Sequence, residues 1–94
     1  MTVLFSLTPL TPLGYQQLTP VASTGLTPPV GATMAAISVS TANVRMRDDG
    51  TAPDATHGVI LFTGVQPFFY TGDLNAVRFI SATGVLDVLY YKST

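Results

Sequence analysis

Three carboxylates and a histidine, Asp48, Asp49, Asp54 and His57, fall in one short stretch of the chain. Paired carboxylates can act as general acid and base, and several oxygens from a bent loop can hold calcium. Asp48 and Asp49 are adjacent, however, so on an extended chain their side chains diverge, and Gly50 marks a turn directly after them. An aspartate in a turn hydrogen-bonds its own backbone, and that is the role expected of both. The spacing of Asp48, Asp49 and Asp54 does not follow the EF-hand pattern, which leaves an ion in this loop open and unsupported. His57 is the sole histidine and cysteine is absent, so the chain lacks the usual ligands of a zinc site and the usual partners of a nucleophile. His57 is expected to be a hydrogen-bonding loop residue, with no catalytic residue, metal ligand or cofactor site.

Arg45 and Arg47 lie two apart on the strand that leads into this loop, so both leave the same sheet face. Two fates are open: cross-strand pairing with aspartates such as Asp73 or Asp87, worth ~0.2–1 kcal/mol per pair, or a salt bridge to a neighbouring subunit. Among the aromatic residues, most of Phe68, Phe69, Tyr70, Phe79, Tyr90 and Tyr91 are expected to build the core. Alternation leaves Phe69 and one of the last two tyrosines, Tyr91 being the choice here, as outward contact anchors.

The elements that position these residues are short strands. Ala35, Ile37 and Val39 alternate with small polar residues, Val44 and Met46 alternate with Arg45 and Arg47, and Leu86, Val88 and Tyr90 alternate across Asp87. Val59–Phe62 reads as a short apolar strand, Gln66–Tyr70 as another, and Ala76–Ile80 as a third with Val77 and Phe79 inward and Arg78 outward. Turn residues separate them at Asp48–Gly50, Thr63–Gly64, Thr71–Asp73 and Ser81–Gly84. Before Gly31 the chain carries Leu-Thr-Pro four times, at Leu7, Leu10, Leu18 and Leu26, with irregular spacing. Each proline withholds an amide donor and suits an edge strand or extended arm, with Tyr15–Leu18 as the best strand candidate. Residues 1–30 are therefore expected to form an extended Pro/Thr-rich arm or edge strand, and 31–94 a sandwich body. An arm clasping a neighbour would use Leu7 and Leu10. The class is all-β, a compact antiparallel β-sandwich or small barrel of about seven short strands.

Composition narrows the function. Of nine charged residues, four basic and five acidic, five lie between Arg45 and Asp54, and none precedes Arg45. With 10% charged and 47% hydrophobic residues, much of the surface must be Thr, Ser, Gly, Pro and exposed apolar groups. A 94-residue domain without disulfides gains from partner subunits, and a homo-oligomer is expected. A net charge of −1 attracts neither nucleic acid nor an anionic membrane. No apolar run reaches the ~20 residues of a membrane span, and Met1–Phe5 lacks the basic start of a secretory leader.

Val44-Arg45-Met46-Arg47-Asp48-Asp49-Gly50-Thr51-Ala52-Pro53, with Gly58, Tyr70-Thr71-Gly72-Asp73-Leu74, Val77-Arg78-Phe79-Ile80 and Leu89-Tyr90-Tyr91-Lys92, resembles a group of small bacteriophage virion structural proteins sharing an R-x-R-D-D-G-T-x-P core. The likeness spans about residues 32–92 as a combined pattern. It implies a non-enzymatic component of the virion, assembled in the host cytoplasm. Its partners would be the major capsid protein or other virion proteins, and its role capsid decoration or cement. A neck or tail position is the nearest alternative, and a carbohydrate-binding β-sandwich module the alternative from another class.

Overall fold

A computed structural model describes residues 10–93, which form eight strands and no helix. They are β1 (Leu10–Leu18), β2 (Thr24–Gly25), β3 (Met34–Ser40), β4 (Val44–Arg47), β5 (Val59–Leu61), β6 (Phe68–Tyr70), β7 (Arg78–Ile80) and β8 (Val85–Ser93). Two antiparallel sheets are ordered β1-β8-β3-β6 and β2-β7-β4-β5. The strand expected at Tyr15–Leu18 is longer, running from Leu10, and it is an edge strand of the chain's own sheet. The eighth strand, β2, escapes the sequence pattern because it is two residues long and lies between prolines.

The pairing has a simple origin. β1 pairs with β8, β2 with β7, β3 with β6 and β4 with β5. The chain is thus one long hairpin, with its tip at the loop between β4 and β5, wrapped so that successive pairs fall alternately in the two sheets. Additional pairing of β3 with β8 and of β4 with β7 closes the wrap. This is the strand order of a jelly roll. The Asp-Asp-Gly loop is therefore the hairpin's tip, and both halves of the fold lead away from it.

The sheets face each other across Ala35, Ile37, Val39, Tyr70, Leu86, Val88 and Tyr90 on one side and Val44, Met46 and Phe79 on the other. Leu26, Leu74 and Val77 fill in from the connections. The expected alternation holds: Leu86, Val88 and Tyr90 are buried, as are Val77 and Phe79, while Arg78 is exposed. Fully burying an aliphatic or phenyl side chain of this size contributes about 1.5–3 kcal/mol, so these positions carry most of the stability. The expectation that most of six aromatic rings are core residues is corrected: Tyr70, Phe79 and Tyr90 are buried, whereas Phe68 and Phe69 are exposed and Tyr91 is half-buried. Phe68 points inward by register, opposite Ile37, but β6 is an outermost strand and leaves the ring open on one side.

Polar groups close the other side. Gln16, inward on β1, accepts from the Tyr90 hydroxyl at 2.5 Å and from the Thr27 amide at 3.2 Å. A buried tyrosine hydroxyl without such a partner would be costly, so this contact lets β1 seal the core. Pro12, Leu13 and Gly14 sit at an irregularity in the β1–β8 register, which an edge strand tolerates.

Candidate functional site

The tip loop is built from its own charges. Arg47 donates twice to Asp49, Nε to Oδ1 at 3.0 Å and a terminal nitrogen to Oδ2 at 2.6 Å. That guanidinium holds the Asp49 carboxyl down to about 2. Asp48 turns the other way and accepts from the Tyr70 hydroxyl at 2.7 Å, tying the loop to β6 in the opposite sheet. Burial, then the hydrogen bond to Asp48 and that residue's charge, push the Tyr70 phenol up to about 12. Asp54 accepts from the amides of Thr56 at 2.9 Å and His57 at 2.7 Å, and its Oδ1 lies 2.9 Å from His57 Nδ1. Hydrogen bonds from Thr56 first, then His57, lower Asp54 to about 2. Arg45 donates to the carbonyl of Gly58 at 2.9 Å. Gly58 has φ 139°, and a Cβ there would approach Arg45 Cβ and the Met46 carbonyl to 3.1 Å, so only glycine lets the loop lie back on β4.

Each carboxylate of the loop is thus committed to a different protein partner. Asp48 and Asp49 diverge, as their adjacency implies, and His57 bonds within its loop. Among the described residues, no three acidic, histidine or cysteine side chains are grouped to hold a metal ion. The cross-strand pairing of Arg45 and Arg47 with Asp73 or Asp87 is not what forms. Asp87 accepts from Tyr15 at 2.5 Å and Gln17 at 3.0 Å on β1, in the other sheet, and Asp73 accepts from the Asn75 amide at 2.9 Å in its own turn. Arg47 takes Asp49 instead because a partner two residues away needs no ordering of a distant segment.

The more informative surface is apolar. Register across the first sheet places Tyr15, Leu89, Ala36 and Phe69 in one outward row running from edge to edge. Tyr15 is 60% exposed, Leu89 45% and Phe69 59%, while Ala36 between the last two is buried, so the row is apolar throughout but open to solvent at three of its four positions. The adjacent row is Pro12, Tyr91 and Met34, where Tyr91 lies half-buried. Leu10 stands at the corner, exposed and opposite Ser93, while Leu7 lies outside the described residues. Of the expected contact residues, Phe69, Tyr91 and Leu10 share this sheet. Arg45 lies on the outer face of the second sheet, in register with Ile60 and Ile80.

A second apolar surface follows the open side of the sandwich, where β5 and β6 are the outermost strands of their sheets. Val59, Phe62, Val65 and Phe68 are exposed there, beside a groove of 320 Å³ floored by Ile37 and Val39. The sequence marks Val59–Phe62 as an apolar strand without showing that it lies at an edge. Nothing in the local sequence marks Tyr15, Leu89, Val59, Phe62 or Val65 as contact residues. The one available signal was global, too few charges to cover so much apolar surface. No family model, no curated protein and no solved structure matches this chain.

Proposed function

We propose that this chain is a non-enzymatic virion structural protein that decorates or cements a bacteriophage capsid through many copies. The observation that carries this reading is the outward apolar row Tyr15–Leu89–Ala36–Phe69, exposed at Tyr15, Leu89 and Phe69, across the four strands of the first sheet. An apolar strip of that kind is covered when the protein works, since single scattered residues would not align across four strands. The three carboxylates of the tip loop serve in structural contacts, Asp48 with Tyr70, Asp49 with Arg47 and Asp54 with the His57 amide. The strand order adds an analogy at the level of architecture, jelly rolls being common in viral capsid domains and also in lectins. Between those two, the row favours a protein partner. A sugar platform needs polar neighbours around its ring, and Phe69 is flanked across the sheet by Ala36 and Leu89.

Many weak contacts repeated by symmetry give an avidity that one contact lacks. The test is quantitative mass spectrometry of gradient-purified phage particles. Many copies per particle is the expected result, and particles free of the protein would overturn the assignment.

A further inference from the structure

β3 is seven residues long and pairs along its whole length with β8, but β6 covers only Ala35, Ile37 and the residue between them. Gln66 and Pro67 lie outside any strand, and the backbone of residues 38–40 has no strand partner on that side among the described residues. The groove described above opens directly beside this bare edge, and no charged side chain lines it. A bare edge next to an apolar slot is the receiving half of strand addition, in which backbone hydrogen bonds give affinity and the slot takes alternate side chains.

Building on the multi-copy reading above, we propose that the slot is filled by Val3, Phe5 and Leu7 of a neighbouring copy, added as a strand against residues 38–40 of β3. The segment Thr2-Val3-Leu4-Phe5-Ser6-Leu7 alternates apolar residues with Thr, Leu and Ser, and no charged side chain occurs in residues 1–9. It therefore has the two-residue period and the neutrality that the slot requires. The occupant cannot come from the same chain. Leu10 begins β1 opposite Ser93, three strands from β6 and about six residues along β3 from the bare edge. At ~4.8 Å per strand and ~3.3 Å per residue, that separation is roughly 24 Å across the sheet. Leu7, three residues before Leu10, can stand no more than about 10 Å from it. Such an exchange either closes as a reciprocal pair, each arm in the other's slot, or propagates head-to-tail around a ring or along a filament.

The chain has no cysteine, which makes the test clean. Equal amounts of an F5C chain and an F62C chain are mixed and oxidised, and a disulfide-linked heterodimer is expected. Its absence overturns the proposal. An F5C/F62C double variant is expected to give disulfide-linked dimers or higher multimers, and a single internally closed monomer would overturn it. A labelled peptide of residues 1–9 should bind the chain lacking residues 1–8, with affinity reduced about tenfold or more by Phe68→Asp at the mouth of the slot. No binding, or binding indifferent to that substitution, would overturn it as well. Failure of these tests leaves the virion assignment standing if particle mass spectrometry finds the protein. Absence from particles removes the assignment whether or not the strand is exchanged.

Discussion

At the residue scale, Tyr70 is the joint between the tip loop and the opposite sheet. Its ring is buried under Gly72, where a Cβ would overlap it, and its hydroxyl reaches Asp48. Tyr70→Phe removes the donor and leaves Asp48 without that partner, which should cost about 1.5–3 kcal/mol in urea unfolding, a range typical of bonds to charged groups. The same phenol makes stability sensitive to alkali. The folded value near 12 exceeds the ordinary 10.0, so the contribution is complete below pH 10 and lost as pH rises through about 12. Asp49 and Asp54 act in the opposite sense. Their folded values near 2 lie under the ordinary 3.8, so their contribution is present above that value and lost as pH falls through about 2. Thermal midpoints measured from pH 5 down to pH 2 should fall, and Asp54→Asn should flatten part of that fall. An unchanged slope in the variant would count against the assigned hydrogen bonds.

At the scale of elements, turns decide whether the wrapped hairpin closes. A Cβ at Gly84 would stand 2.6 Å from Ser81 Oγ, 2.7 Å from a Val44 methyl and 2.8 Å from the Ala42 carbonyl. Gly84→Ala must therefore displace the turn that joins β7 to β8, costing about 1–3 kcal/mol as overpacking does, and chemical denaturation will read it. Phe79→Ala, in the fully buried centre of β7, should cost about 3–5 kcal/mol by the same measurement. Strand identity was legible where alternation had a buried side, as in Leu86, Val88 and Tyr90. It was not legible in β2, whose two residues carry no period, nor in the exposure of β5, whose apolar run reads like a buried strand. Position in a sheet is set by long-range pairing, and a local window contains no information about which strand ends at an edge. The same limit applies to Arg47, whose partner lay two residues away while the spacing rule pointed across the sheet.

At the scale of the molecule, the core is completed from within and the outer faces are not. Polar residues close the β1 side through Gln16 and Tyr90, whereas the β5–β6 side and one row on the outer face of the first sheet stay apolar, the latter beside the polar row Gln17–Asp87–Ser38. Only nine charged residues stand against that surface, five of them drawn into one strand and its loop. A chain built this way should associate through its apolar faces. Replacing Phe69 and Leu89 with Ser should leave folding intact, since both side chains are exposed, and weaken association in light scattering. The most direct test of the central claim is sedimentation velocity of the purified full chain over a wide range of concentrations. The mass should rise from the 9.9 kDa monomer to discrete multiples. A single monomeric species at every concentration would contradict it.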